Sequence, residues 1–179
     1  MDTATLTENT FDVAINGEGY FQITLPNGDT AYSRAGSFQI SADGEIVTAD
    51  GFTVEPAITI PTDAVDVSIN ASGQVLVQQD GQVTPANVGQ LQLARFSNEA
   101  GLLAIGDNLF LETPASGAAT AGNPGSTGIG TIQQGFLETS NVNVVEEITN
   151  LITAQRAYEM NSKVIETSDQ MMSTLNNIR

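Results

Sequence analysis

The chain has 179 residues and carries 5 Lys+Arg against 21 Asp+Glu, a net charge of −16. Phosphate backbones and anionic membrane faces repel such a surface, so no nucleic-acid partner is expected. With no Cys and no His, disulfides, thiolate chemistry, His-dependent catalytic triads and the usual zinc ligand sets are excluded.

Forty per cent hydrophobic residues suffice for a core, and 6% aromatics with no Trp make that core mostly aliphatic. No apolar run approaches membrane-spanning length. The opening residues, MDTATLTENT, have neither the basic nor the apolar stretch of a cleavable secretory signal. Residues 1–10 are expected to be a polar tail.

From residue 11 the pattern is that of strands. Asn16-Gly17, Asn27-Gly28, Asp43-Gly44, Asp50-Gly51, Ser72-Gly73 and Asp80-Gly81 punctuate it. Such dipeptides tolerate the positive φ angles of tight hairpin turns. Short β-prone runs lie between them, at 20–25, 31–34, 37–40, 45–48 and 58–60. Val65, Val67 and Ile69 alternate with Asp66 and Ser68, which predicts a strand with one apolar face and one polar face. Runs at 74–78, 90–96 and 108–112 continue the theme. The expectation is a mainly β protein, with an antiparallel hairpin-rich domain over residues 11–137 shaped as a sandwich or distorted barrel. Residues 114–130 (PASGAATAGNPGSTGIG) are small and uncharged and read as a flexible loop within it. Residues 131–137 read as a last strand.

Residues 138–179 form the second region, and a long helix is expected there. Residues 143–179 contain no Gly and no Pro. Asn143 is placed to cap the helix, and Glu146 stands three residues later, as a capping box requires. Val144, Leu151, Tyr158, Ile165 and Met172 recur every seven residues, and Ala154, Asn161, Ser168 and Leu175 follow the last four by three. That is the rhythm of a coiled-coil seam with several small or polar residues in one of its two rows. A lone helix of this kind is marginal in water. Its seam is expected to be met by another chain, or by a segment outside this sequence.

Materials for catalysis are few. A Ser–Lys pair would need Lys163, the one lysine, which falls on the helix. Gly17-Glu18-Gly19 opens like a dinucleotide motif, but Gln22 stands where the third glycine belongs. None of the Asp-Gly pairs lies in calcium-loop spacing. No feature singles out two of the 21 acids as a glycosidase pair. No enzyme, no cofactor and no small-molecule substrate is therefore expected. Arg34 is poised between pairing with a carboxylate and standing exposed on a strand.

Two blocks resemble a known family, the axial proteins of the bacterial flagellum (rod, hook and hook-associated subunits). The first runs over residues 11–53, with Val13-Ala-Ile-Asn-Gly-Glu-Gly-Tyr-Phe21, Tyr32-Ser-Arg-Ala-Gly-Ser-Phe38 and Gly44-Glu-Ile-Val-Thr-Ala-Asp-Gly51. The second begins at Gln133-Gln-Gly-Phe-Leu-Glu-Thr-Ser-Asn-Val-Asn-Val-Val-Glu-Glu147. It runs on through Gln155-Arg-Ala-Tyr-Glu-Met-Asn-Ser-Lys163 to Thr167-Ser-Asp-Gln-Met171. The resemblance implies a self-assembling structural subunit with an outer β domain and an inner coiled coil of terminal helices, stacked helically into a hollow shaft. The implied partners are copies of itself, other rod and hook subunits and the surrounding basal-body rings. Type III export without a cleaved signal and a place in the basal body are implied as well. Family members carry a helix ahead of the β region, which ten polar residues do not supply, so a longer parent protein is expected. A β-rich adhesin or glycan-binding module with a helical stalk is the alternative from another class.

Overall fold

The computed structural model describes residues 3–82, 84–139 and 144–176. Among them the strands are β1 (Thr3–Leu6), β2 (Val13–Asn16), β3 (Tyr20–Thr24), β4 (Thr30–Ser33), β5 (Phe38–Ile40), β6 (Ile46–Thr48), β7 (Thr53–Glu55) and β8 (Ala64–Ile69). They continue as β9 (Gln74–Gln79), β10 (Ala86–Gln90), β11 (Leu93–Arg95), β12 (Leu103–Gly106), β13 (Leu109–Leu111), β14 (Thr120–Gly122), β15 (Thr131–Gln134) and β16 (Phe136–Thr139). One long helix, α1 (Val144–Asn176), follows. The fold is mainly antiparallel β with a long C-terminal helix. The chain divides into two compact units, Met1–Thr139 and Ser140–Arg179.

The β unit is organised on β3. One edge of β3 pairs with β4 from Phe21 to Thr24. The other edge is shared: β7 takes Gln22–Thr24 and β11 takes Tyr20 and Phe21. The main sheet therefore runs β12-β13-β4-β3-β7-β6-β5, with β14 joined through β11. A second sheet runs β10-β9-β8, and two ribbons pair β15 with β2 and β1 with β16. Short strands need such cross-coverage, since an isolated hairpin is marginal in water.

The core lies between these sheets and is largely aliphatic. Val13, Phe21, Ile46, Val75, Leu93 and Ile132 are among its fully buried members. The Phe21 and Phe38 rings meet edge-on at 5.0 Å. In a second cluster Phe96 takes Tyr32 edge-on at 4.7 Å and Tyr20 at 5.8 Å. Each such contact adds about 0.5–1.5 kcal/mol beyond area burial.

Five of the six dipeptides lie between strands that pair as hairpins, while Asn16-Gly17 joins β2 to β3, which do not pair. Gly44 has φ +85° and Gly73 has φ +81°, and their amides donate back to Ser41 O and Asn70 O. A Cβ at Gly44 would also stand 2.6 Å from Ile60 O, so both conformation and space require glycine there.

Several segments differ from the sequence reading. Within residues 1–10, read as a tail, Thr3–Leu6 pairs as β1 with β16. Residues 58–60 form no strand, and only an isolated bridge joins Glu45 to Thr59. Val65, expected on the apolar face, is 70% exposed, because the β8–β9 register shifts between Ala64 and Asp66 and a bulge turns the side chain outward. Residues 131–137 split into β15 and β16 at Gly135, whose φ is +75°. The segment read as a flexible loop, 114–130, contains β14. It is knotted at its start, where Ser116 Oγ donates to Thr113 O at 2.8 Å and accepts from the Thr113 amide at 2.9 Å.

Candidate assembly surfaces

Helix α1 is 33 residues long, about 50 Å at 1.5 Å per residue. It begins at Val144, where the sequence places its start. Asn143 lies outside the described residues, as do the side chains of Val144, Glu146 and Leu175. The rest of the expected seam is exposed: Leu151 by 58%, Tyr158 by 78%, Ile165 by 65% and Met172 by 70%, with Ala154, Asn161 and Ser168 exposed alongside.

A second apolar stripe escaped the sequence reading. Ala157, Met160, Val164 and Met171 are also exposed. At 100° per residue they centre roughly 100° round the helix from the Tyr158–Ile165 seam. Their spacing of three, four and seven was the available signal, masked by the stronger seven-residue recurrence beside it. Arg156, Glu159, Lys163 and Glu166, by contrast, fall within an arc of roughly 80°. Their spacings of three and four suit them to pair along that arc. Thr153 and Thr167 turn inward instead, donating to Thr149 O at 2.8 Å and Lys163 O at 2.6 Å. Such i−4 bonding is how a helix accommodates a threonine in its interior. From residue 156 onward the helix thus shows one charged stripe and two apolar ones. Ile148 and Ile152, 50% and 44% exposed, continue the line of the charged arc toward the helix start as an apolar one. A single facing helix covers a seam of two rows in seven, so one partner leaves the second stripe wet.

In the β unit, Arg34 resolves toward a carboxylate. Its Nε donates to Glu138 Oε2 at 3.0 Å. Its Nη1 donates to Gly17 O at 3.0 Å and Gly19 O at 3.2 Å, and the guanidinium lies 5.8 Å from the Tyr20 ring centre. One side chain therefore ties the β2–β3 turn to β16, the strand that precedes the helix in sequence. Gln134 makes a second tie. It accepts from the Ile69 amide at 2.9 Å and donates to Thr10 O at 2.9 Å and Val67 O at 3.0 Å. Its carboxamide thereby substitutes for a ladder along the outer edge of β8.

Among the described residues there is no cluster of three or more His, Cys, Asp or Glu suited to a metal ion. Lys163 stands exposed on α1. Also among the described residues, no helix is long and apolar enough to cross a membrane.

Residues 14–77 match the family described as the flagellar hook protein FlgE/F/G D1 domain. Residues 133–178 match the flagellar basal body rod FlgEFG protein C-terminal family. The flagellar basal-body rod protein FlgG of Caulobacter vibrioides is 59% identical over 99% of this chain and 68% of its own length. That of Agrobacterium fabrum is 55% identical over 93% of this chain and 64% of its own. The flagellar hook protein FlgE of Escherichia coli is more distant, 41% identical over 66% of this chain and 29% of its own. The chain spans about two thirds of the length of the rod relatives. On the strength of these matches, laid over the same β core and terminal helix, the chain belongs to the flagellar rod and hook protein family.

Proposed function

We propose that this chain is a structural subunit of the basal-body rod, the distal rod in particular, and not an enzyme. Copies stack through α1 into a hollow helical shaft that transmits torque from motor to hook. The β unit forms the outer layer of that shaft, beside other rod and hook subunits and inside the basal-body rings. Export follows the flagellar type III route. The observation that carries the reading is α1: two apolar stripes and one charged stripe make a helix suited to a lattice rather than to a single partner. The match to the rod relative takes in 99% of this chain and that to the hook protein 66%, which favours rod over hook.

The test uses the full-length parent protein. Leu151→Asp or Ile165→Asp places a carboxylate in the seam, which is expected to abolish swimming while the β unit stays folded. Normal motility in both variants would refute the seam.

A further inference from the structure

Two Asn-Gly pairs lie on the surface of the β unit, Asn16-Gly17 and Asn27-Gly28, and all four residues are exposed. In such a pair the glycine amide nitrogen is able to close on the asparagine carboxamide carbon, because the second residue has no Cβ to stand in the way. Tethered groups react only when they are free to reach the attacking geometry.

The two pairs are held differently. Asn27-Gly28 turns the β3–β4 hairpin. Its carboxamide is fixed on Asp29: Nδ2 donates to Oδ2 at 2.7 Å, and Oδ1 accepts from the Asp29 amide at 3.1 Å. The Gly28 amide donates to Leu25 O at 2.9 Å, so both reacting groups are engaged. Asn16-Gly17 has no hairpin around it. Among the described residues no hydrogen bond holds the Asn16 carboxamide or the Gly17 amide. Asn16 is the last residue of β2, and its backbone is tied through the end pair of the β2–β15 ribbon, Asn16↔Thr131. End pairs open at low cost, and opening lets the chain turn the Gly17 nitrogen toward the carboxamide.

We propose that Asn16-Gly17 is a site of spontaneous modification and that Asn27-Gly28 is not. The Gly17 nitrogen gives up its proton and bonds to Asn16 Cγ, and the Cγ–Nδ2 bond breaks. Nδ2 leaves as ammonia, taking up a proton through water. A second water then opens the cyclic imide, at one carbonyl to leave aspartate and at the other to leave isoaspartate. Nothing is oxidised or reduced. Isoaspartate places an extra carbon in the main chain where there is no room for one. A Cβ on Gly17 would stand 2.9 Å from Gly130 Cα, and one on Gly130 would stand 2.6 Å from Asn16 O. Gly17 O, which accepts from Arg34 Nη1 at 3.0 Å, is displaced from that donor, and the tie from the β2–β3 turn to β16 loosens. All of this lies within the β unit and holds whatever α1 meets.

The test ages the 179-residue chain in warm, mildly alkaline buffer, folded and in urea. Peptide mapping that separates aspartate from isoaspartate follows both sites. In urea the two should react at similar rates. In the folded chain Asn16 should outpace Asn27 at least roughly tenfold. The aged chain should unfold at lower urea than the fresh one. Asn16→Gln, whose longer side chain closes the ring far more slowly, should keep its midpoint through the same treatment. Fresh Asn16→Asp should unfold with the fresh chain, since it lengthens no backbone. Equal folded-state rates at the two sites, or a faster Asn27, overturn the site. Isoaspartate at position 16 with an unchanged midpoint overturns the loosening of the Arg34 tie.

Discussion

Arg34 and the two core tyrosines show what single residues hold in place. The Arg34 side chain is 23% exposed and Glu138 19%, so the ion pair itself is screened and accounts for under about 1 kcal/mol. The bonds to Gly17 O and Gly19 O are charge-assisted, worth about 1.5–3 kcal/mol together with the desolvation left behind when they are lost. Arg34→Gln should therefore lower the urea-unfolding free energy by about 1–3 kcal/mol, and Glu138→Gln by less. Equal losses in the two variants would mean that the carbonyl bonds contribute nothing. Tyr20 and Tyr32 bear on alkaline stability. Burial pushes both phenols above the ordinary 10.0, with Glu99 adding to the shift at Tyr20 and Glu112 at Tyr32. Above pH 10.0 the unfolded chain releases these protons while the folded one keeps them, so the unfolded state gains. Stability is full below that pH and falls as pH rises toward the folded-state values. Tyr32→Phe should make the fall shallower in a pH series of urea midpoints, and an unchanged slope would contradict the assignment.

At the scale of elements, α1 exposes its apolar side chains where the core strands bury theirs. Its seam and second stripe are exposed, and isolated helices draw most of their stability from packing. Helical ellipticity should therefore rise with protein concentration, while the β signal stays constant. Leu151→Asp should hold ellipticity at its dilute value throughout. Full helicity in dilute solution would show that α1 needs no partner. This helix was legible in the sequence because its period, its lack of Gly and Pro and its start at Val144 agree. The hairpins were legible through their Asx-Gly and Ser-Gly turns. The β12–β13 hairpin was missed, since Asp107-Asn108 reaches positive φ at both residues without the glycine in the second place that marks such turns. Val65 was misread because alternation carries no trace of a bulge. β1 was missed because its partner, β16, lies some 130 residues away in the chain, and nothing local marks a ribbon closed by such a contact. The Gln134 tie was invisible for the same reason: its partners at Thr10, Val67 and Ile69 meet only in the folded state.

For the whole molecule, charge decides the conditions of assembly. Each copy carries a net charge of −16, and the β unit's two cations, Arg34 and Arg95, are engaged within it. In the proposed assembly, copies brought side by side repel one another through their acidic residues, while the apolar stripes of α1 attract. Repulsion between exposed charges is screened over about 10 Å at 0.1 M salt and about 3 Å at 1 M, whereas burial of apolar surface is not screened. The concentration at which light scattering first reports assembly should therefore fall as sodium chloride rises from about 0.1 M to about 1 M. Sulfate at equal ionic strength should lower it further, since it strengthens apolar burial. The opposite trend, a threshold that climbs with salt, would mean that ion pairs from the Arg156–Glu166 stripe join the copies. In that case Lys163→Gln should raise the threshold where Met160→Gln does not. If apolar burial drives assembly, Met160→Gln should raise it by more, because it removes a member of the second stripe that one neighbouring helix cannot cover.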